Sequence, residues 1–272
     1  MRVFLATAES VRSRVYLLKH NVQNVLFSYH IMNKGKFGIN NYEAADKLLF
    51  DFKGKTIFCD SGAATLQKGV TPKQFDDVVV AYGEFLKRYS KHFIGCAEMD
   101  IYNLFPKEKI QEVRRYLEQF CNNLIPVWHV NMGLKDWKAF LDNYSYVAVG
   151  ITKLVKEPVL FRLVRLAYEA GVKVHGFAVT TNEKMINIPF FSVDSSTWIN
   201  GDKYGEYQEY VNGKVMKFKN VRAKENIKRR KIEHVNVFLK PSLKTERNLL
   251  AFQKLEKHVT KLWAKRGVVW DG

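Results

Sequence analysis

The stretch TIFCDSG, residues 56–62, holds the pattern that decides the fold: a short β-rich apolar run ends in an aspartate and a turn. Outward from it in both directions, similar runs recur. Eight candidate strands are predicted in all, at residues 3–6, 25–30, 56–60, 93–99, 125–130, 146–151, 174–179 and 190–194. Short runs of branched and aromatic residues between turn signals are typical of buried strands.

Helix-like stretches separate these runs. Thr71 and Pro72 are typical N-cap and N1 residues for a helix at 73–89. Further helices are predicted at 107–120, opened by Pro106; at 134–143; and at 158–170, ended by Gly171. Alternating strands and helices predict a parallel sheet with crossovers. Eight such units in about 200 residues predict an α/β fold, a TIM (β/α)₈ barrel. No GxGxxG follows the first strand, which disfavours a dinucleotide-binding fold.

The character of the sequence changes after Asp194. Residues 206–218 are predicted to form a β-hairpin, because Asn212-Gly213 between two alternating runs indicates a type I′ turn. A basic segment, RAKENIKRRK at 222–231, follows the hairpin.

A long terminal helix is predicted at 245–266, with an apolar stripe formed by Leu249, Phe252, Leu255, Val259 and Leu262. No Pro-, Gly- or Ser-rich linker precedes it. We therefore predict a TIM-barrel catalytic domain at residues 1–200. Residues 201–272 are predicted to form a C-terminal hairpin and a basic helical appendage packed on the barrel.

Composition narrows the class of protein and of partner. Apolar residues make up 47% of the chain, which excludes a disordered protein. The 44 Lys and Arg against 27 Asp and Glu give a net charge of +17, which indicates an anionic partner, most commonly nucleic acid. Three cysteines without metal-like spacing indicate a reducing compartment. With no signal peptide or membrane-length apolar run, we expect a cytoplasmic protein, in the host cytoplasm if a phage encodes it.

Acidic and imidazole side chains are predicted to meet at one rim of the barrel. Catalytic groups in this fold lie where strands end, and the candidates there are Asp60, Asp100, His129, His175 and Asp194. An aspartate at a strand end can also be a simple helix cap or turn residue. Asp60 and Asp194 at matching strand ends, together with Asp100, favour a functional site.

Two carboxylates across a small pocket suit chemistry at an anomeric carbon. One can attack the sugar, and the other can transfer a proton to or from the leaving group. Phe177 and Trp198 are candidate stacking surfaces, with ordinary core packing as the alternative. His129 and His175 could bind substrate, orient a carboxylate or be structural. No HxH or HExxH spacing occurs, so no metal site and no cofactor are predicted.

The basic segment supplies candidate phosphate contacts from Lys224, Lys228, Arg229, Arg230 and Lys231. A solvated helix face is the alternative for such a mixed-charge run. The overall charge favours nucleic-acid binding, because phosphate contacts dominate its affinity.

Four motifs in order resemble the tRNA-guanine transglycosylase superfamily. They are DSGA at 60–63, VAVGI at 147–151, HGFAVT at 175–180 and FFSVDSSTW at 190–198. The sequence is most similar to the short phage-type branch, the DNA-guanine transglycosylases that insert 7-deazaguanines into DNA. The resemblance covers the barrel, roughly residues 1–198.

This resemblance implies a glycosyltransferase that exchanges guanine in DNA for a 7-deazaguanine (preQ0-like) base. It assigns Asp194 as the nucleophile that attacks C1′ and Asp60 as the general acid/base. Asp100 would accept hydrogen bonds from the purine edge, and Gly150 would let the backbone approach the base. The remaining residues predicted to bind substrate are Ser61, Gly62, His129, His175, Phe177 and Trp198.

The sequence also departs from the family. Members acting on tRNA carry a zinc site with a CxCxxC run, which is absent here, so no structural zinc is predicted. Ala64 stands where the family tends to have an aromatic residue that stacks on the base. The missing zinc run and the short basic tail favour DNA over tRNA. A tRNA enzyme, an N-glycosidic hydrolase and a non-catalytic nucleic-acid-binding barrel remain alternatives.

Overall fold

The computed structural model describes residues 1–67, 69–150, 152–179, 181–218 and 241–270. Its centre is a sheet of nine parallel segments: β1 (Arg2–Leu5), β2 (Asn24–Ser28), β3 (Thr56–Asp60), β4 (Gly95–Ala97), β5 (Leu124–Ile125), β6 (Val127–Trp128), β7 (Tyr146–Val149), β8 (Lys173–Gly176) and β9 (Ser192–Ser195). Their order is β5-β4-β3-β2-β1-β9-β8-β7-β6.

The nine segments make an eight-stranded barrel, because β5 and β6 are two parts of one strand interrupted at Pro126. β5 pairs with β4 and β6 pairs with β7, so the order runs around the barrel and returns to the same strand. Proline has no N–H for the sheet, and the next N–H, that of Val127, donates to the Glu98 carboxylate at 2.6 Å. The predicted TIM barrel is confirmed. The prediction of one continuous strand at 125–130 is wrong.

Each predicted strand overlaps an observed one, although most are shorter. β3 has the predicted bounds. The strand predicted at 93–99 is reduced to Gly95–Ala97, and the last strand begins at Ser192 rather than at Phe190. Boundaries of this kind depend on pairing with neighbours, which an isolated run of residues does not specify.

Helices lie between the strands and around the barrel. They are α1 (Val11–Lys19), α2 (Tyr29–Met32), α3 (Tyr42–Asp51), α4 (Ala63–Leu66), α5 (Pro72–Tyr89), α6 (Lys107–Glu118), α7 (Leu134–Asn143), α8 (Glu157–Glu169), α9 (Asn182–Asn187), α10 (Asn200–Tyr204) and α11 (Pro241–Lys265), with 3₁₀ turns at Ser90–His92, Thr152–Leu154 and Thr197–Ile199. In the part of the chain that is described, no helix combines the length and the apolar character needed to cross a bilayer.

The predicted helix signals are confirmed where α5 begins and where α8 ends. Thr71 caps α5, with its hydroxyl accepting from the Gln74 N–H while the Gln74 side chain accepts from the Thr71 N–H. Gly171 follows α8 with φ +71°, a left-handed conformation in which glycine carries no Cβ penalty. These local signals fix helix ends from sequence alone.

Apolar residues pack on both faces of the strands, as expected for a parallel sheet covered by helices. The barrel interior is filled by a cluster that includes Phe4, Leu26, Phe58, Ile125 and Phe191. A larger cluster lies between the strands and the helices. This packed interior closes the bottom of the barrel and leaves the carboxyl ends of the strands as the place for a site.

The predicted hairpin is confirmed as β10 (Tyr207–Val211) and β11 (Lys214–Phe218). Asn212 and Gly213 both have positive φ, +48° and +84°, as a type I′ turn requires.

The terminal helix α11 completes the ring of barrel helices. It contacts β1 and α9, and Gln253 in its middle donates to the carbonyl of His20, which follows α1. Glu256 accepts hydrogen bonds from the Val3 N–H at 3.1 Å and from the Asn24 amide at 2.6 Å. The helix predicted as an appendage therefore occupies the position of the eighth barrel helix, and its contacts cross the predicted boundary at residue 200.

Candidate active site

A cavity of about 350 Å³ opens at the carboxyl ends of the strands, where enzymes of this fold place their active sites. Its volume lies within the range of small-molecule sites. The cavity is lined by Asp60, Ala64, Gln67, Asp100, His129, Gly150, Thr152, Phe177, Ala178 and Asp194.

Six predicted site residues face this one cavity, although they come from six different strand ends. They are Asp60, Asp100, His129, Gly150, Phe177 and Asp194. The barrel therefore brings together side chains that lie up to 134 positions apart in sequence (194 minus 60). Their roles in a reaction stay proposals.

Asp60 ends β3 and is half-buried in the cavity wall. Burial, and after it the negative charges of Asp100 and Asp194, raise the pKa of Asp60 to about 8. The N–H of Gly62 favours the ionised form without offsetting these effects. Asp60 is therefore mostly a carboxylic acid at neutral pH and can donate a proton.

Asp194 in β9 has a different environment. The backbone N–H of Ala178 donates to its Oδ1 atom at 2.7 Å, and Nε2 of His175 lies 3.4 Å from the same oxygen. Among the described residues no hydrogen bond engages Oδ2, so this oxygen is available for attack on a substrate.

The loop after β8 shapes the wall beside Asp194. Ala178 has φ +53°, an uncommon conformation for a residue other than glycine, and its N–H points at the carboxylate. The half-buried ring of Phe177 contacts Phe58 edge-to-face with a centroid separation of 5.9 Å. Phe177 thus offers an apolar surface at the cavity.

Asp100 is paired with a histidine across the cavity. Nε2 of His129 lies 2.8 Å from its Oδ2 atom, and the His129 ring packs on Tyr102 at 5.1 Å between centroids. A Cβ on Gly150 would lie 2.6 Å from Cε1 of His129. Gly150 therefore leaves room for the His129 ring. This reason for a glycine at position 150 was not evident from the sequence.

Four of the predicted substrate-binding residues do not line the cavity: Ser61, Gly62, His175 and Trp198. Trp198 is fully buried, donates its indole N–H to the Ala6 carbonyl at 3.0 Å and packs edge-on against Tyr16. The prediction that Trp198 stacks on a base is therefore wrong, because its ring belongs to the core. Ser61 is also fully buried, and Gly62 lies behind the wall, so direct substrate contact is wrong for both.

The structure gives a different reason for a glycine at position 62. Its φ is +86°, and a Cβ would lie 2.5 Å from Cβ of His30 and 2.8 Å from Oγ of Ser28. Only glycine fits this left-handed position and this close approach. The turn that carries Asp60 to the cavity depends on it.

His175 lies beneath the cavity, fully buried in the barrel interior. Its ring stacks on Phe58 with centroids 4.4 Å apart, and its Nδ1 atom lies 2.7 Å from the Ser192 hydroxyl. Among the predicted alternatives, this position fits orienting a carboxylate. Direct substrate binding by His175 is wrong, because its ring has no exposed surface.

The sequence analysis missed Gln67, Thr152 and Ala178 as cavity-lining residues. The Gln67 side chain accepts a hydrogen bond from Asn103 at 2.9 Å, and the Thr152 hydroxyl donates to the Phe177 carbonyl at 3.0 Å. All three lie in loops a few residues beyond strand ends. Extending the strand-end rule further into each loop would have found them.

Glu9 is a fourth carboxylate on the same rim that the sequence analysis missed. It follows β1, is half-buried and accepts a hydrogen bond from the Ser28 N–H at 3.2 Å. Burial raises the pKa of Glu9. Its negative charge is a further, smaller cause of the raised pKa of Asp60.

The predicted phosphate contacts lie outside the described residues; they are Lys224, Lys228, Arg229, Arg230 and Lys231. Within the described ranges, no three His, Cys, Asp or Glu side chains are grouped to hold a metal ion. The three cysteines are buried and free. The absence of a structural zinc site stays a prediction.

Comparison with known proteins identifies the fold. No family model and no curated protein matches the chain. A crystal structure from Coccidioides immitis, whose description assigns it provisionally to the fructose-1,6-biphosphate aldolases, is similar with a TM-score of 0.51 and 11% sequence identity. The match covers 96% of this chain and 88% of that one. At this identity the likeness shows a shared TIM-barrel fold and carries no activity across.

Proposed function

We propose that this protein exchanges guanine in DNA for a 7-deazaguanine base through a covalent aspartyl–DNA intermediate. The observation that carries the proposal is the pair Asp60 and Asp194 at one cavity. One is held as an acid with a pKa of about 8, and the other accepts a hydrogen bond from the Ala178 N–H at Oδ1 while no hydrogen bond engages its Oδ2 among the described residues. Double displacement at an anomeric carbon needs one carboxyl group that supplies a proton and one that attacks the sugar.

The first displacement breaks the bond between C1′ and the glycosidic nitrogen of guanine. Oδ2 of Asp194 attacks C1′ from the face opposite the base and forms an ester-like bond to the sugar. The electron pair of the broken bond stays on the base. The proton of the Asp60 carboxyl group passes to that base, which leaves as neutral guanine.

The second displacement reverses these steps with a different base. Ionised Asp60 removes the proton from the glycosidic nitrogen of the incoming 7-deazaguanine. That nitrogen attacks C1′, the bond to Asp194 breaks, and the carboxylate is released. Asp60 ends protonated, as it began, so the cycle consumes no cofactor and the proton count balances.

Base recognition would fall to other residues that line the cavity. Asp100 can accept hydrogen bonds from guanine N1–H and the 2-amino group, and its contact with His129 at 2.8 Å holds it in place. Phe177 supplies a surface against which the base could stack. Ala64 lines the cavity at the position of the missing aromatic residue, so the base would have an aromatic surface on one side rather than two.

A nucleic-acid substrate is supported by charge. The net charge of +17 favours a polyanion, and the target nucleotide would leave the stack to enter the cavity. DNA is proposed over tRNA because the CxCxxC run of the tRNA-acting members is absent from the sequence.

The test is incubation of the protein with duplex DNA, single-stranded DNA or tRNA and a radiolabelled 7-deazaguanine. We expect label in DNA and none in tRNA. Label in tRNA alone would assign the alternative substrate, and release of guanine without incorporation would indicate a hydrolase. Salt-dependent binding without either product would contradict the enzymatic proposal.

A further inference from the structure

A chain of polar side chains crosses the otherwise apolar interior of the barrel below the cavity. The Tyr146 hydroxyl lies 2.5 Å from Oγ of Ser192, and the same oxygen lies 2.7 Å from Nδ1 of His175. All three residues are buried. We call Tyr146, Ser192 and His175 the polar column. It ends at Asp194, because Nε2 of His175 faces Oδ1 of that residue at 3.4 Å.

We propose that the polar column positions the carboxylate of Asp194 for attack by fixing which nitrogen of His175 carries the proton. This inference rests on the proposed function, in which Asp194 is the nucleophile. His175 is fully buried and reaches no substrate, so it acts as a positioning residue.

The order of donors along the polar column follows from its two ends. Among the described residues, Oγ of Ser192 is the one hydrogen-bond partner of the Tyr146 hydroxyl, so the hydrogen of this hydroxyl is donated to Ser192. Ser192 then donates its own hydrogen to Nδ1 of His175. With Nδ1 accepting, the ring proton is on Nε2, which lies 3.4 Å from Oδ1 of Asp194.

The reverse order would place a lone pair of His175 against an oxygen of the Asp194 side chain, which lies 3.4 Å from Nε2. Nε2 is enclosed and makes no hydrogen bond within the described part of the chain, although Oδ1 of Asp194 lies 3.4 Å away. A buried nitrogen without a partner is costly, so the column is complete only when Nε2–H donates to Asp194. The separation of 3.4 Å is longer than a normal hydrogen bond, and such contacts commonly tighten when substrate binds.

The ring of His175 has little freedom to turn away. It stacks on Phe58 at 4.4 Å and meets Phe177 edge-to-face at 4.5 Å. The Ala178 N–H holds the same oxygen of Asp194 at 2.7 Å. Two donors on Oδ1 fix the plane of the carboxylate and leave Oδ2 as the attacking atom, which is the preorganisation that covalent catalysis needs.

The first test reads the proton directly and does not depend on activity. The protein has seven histidines, and a long-range ¹H–¹⁵N spectrum of ¹⁵N-histidine-labelled protein reports the tautomer of each. The signal of His175 is assigned by its loss in His175→Gln. We expect a proton on Nε2 and none on Nδ1. A proton on Nδ1, in a singly or doubly protonated ring, would overturn the proposal.

The second test measures the rate of covalent adduct formation with DNA. In His175→Gln the amide N–H reaches close to the position of Nε2, so we expect a rate within about tenfold of the wild type. In His175→Leu this donor is lost, and we expect a rate about tenfold to a hundredfold lower with KM unchanged. Equal rates for His175→Leu and the wild type would overturn the proposal.

A matched pair of variants distinguishes an effect of the polar column from the general effect of removing a buried tyrosine hydroxyl. Tyr146→Phe removes the first donor, whereas Tyr82→Phe removes an equally buried hydroxyl that bonds to the Ala97 carbonyl. We expect both to lose stability and only Tyr146→Phe to slow adduct formation. If the wild type forms no adduct, the proposed function fails while the tautomer result still stands on its own.

Discussion

The carboxyl ends of β3 and β9 present the same residue type to the same cavity, but the two side chains have different neighbours. At β3, burial and neighbouring negative charge raise the pKa of Asp60 to about 8. At β9, the Ala178 N–H and the His175 ring face one oxygen of Asp194. In the proposed reaction, these neighbours, rather than the residue type, would assign proton transfer to Asp60 and nucleophilic attack to Asp194.

The two strand ends also differ in what holds them. Asp60 depends on its own turn, because Gly62 must adopt a left-handed conformation against His30. Asp194 depends on the neighbouring strand, since both of its contacts come from the end of β8. Substitutions at the two strand ends should therefore impair the protein in different ways.

The largest effect is expected from Asp194→Asn. The amide keeps the shape of the side chain and cannot form the bond to C1′. We expect base exchange to fall by at least about 10⁴-fold, as for removal of a covalent nucleophile. Exchange of labelled guanine into DNA measures the rate, and thermal melting checks that the variant is folded. Activity near that of the wild type would remove Asp194 from the chemistry.

A smaller loss is expected from Asp60→Asn. This variant lacks the transferable proton and keeps the nucleophile, so we expect exchange to fall by about 10² to 10⁴-fold. The readout that separates the two ends is the leaving group. A pre-activated nucleoside whose base leaves without protonation should react nearly normally with Asp60→Asn and not with Asp194→Asn. Equal defects on that substrate would contradict the division of roles.

Gly62→Ala tests the dependence of β3 on its own turn. We expect destabilisation by about 1–3 kcal/mol, measured by urea unfolding, because a Cβ clashes with His30 at a left-handed position. Gly54→Ala is the matched control: its φ is also positive, at +77°, and nothing lies within 4 Å of its Cβ. We expect a cost of only about 1 kcal/mol there. Equal costs would mean that the close approach at Gly62 is unimportant.

The last prediction concerns how the stability of the fold depends on pH. The pKa of Asp60 is about 8 in the folded protein and has its ordinary value near 3.8 when unfolded. Between these values the folded state holds a proton that the unfolded state has lost, so this contribution to stability falls as pH rises from about 4 through 8. Asp60→Asn cannot lose this proton.

We therefore expect the difference in the free energy of unfolding between Asp60→Asn and the wild type to change in favour of the variant from pH 5 to about pH 8 and to level off above it. Thermal melting across this range measures it. Asp142→Asn, at an exposed position on α7, is the control and should show no such trend. Parallel curves for Asp60→Asn and the wild type would contradict the raised pKa.

Much of the fold could be predicted from sequence because its signals are local. The capping box at Thr71 and the Asn212-Gly213 turn each act over a few residues. The interruption at Pro126 and the place of α11 in the helix ring could not be predicted in the same way. Both depend on partners distant in sequence, such as the contact of Glu256 with Val3.

The same distinction between local signals and contacts distant in sequence applies to the predicted site residues. Position at strand ends was enough to predict Asp60, Asp100 and Asp194, because parallel strands in a barrel end at one rim. It failed for Trp198, since a short turn after β9 directs the ring into the core, where it bonds to Ala6. The polar column was also beyond reach, because its contacts join residues on three strands through the barrel register.

The central claim is that Asp194 becomes covalently attached to DNA while Asp60 transfers a proton to the leaving base. The most direct measurement is mass spectrometry of the peptides obtained after the protein is incubated with DNA in the absence of an incoming base and then digested. The account predicts a sugar-linked peptide that contains Asp194, with the peptide that contains Asp60 unmodified. A modified Asp60, or the release of guanine with no adduct on either residue, would contradict it.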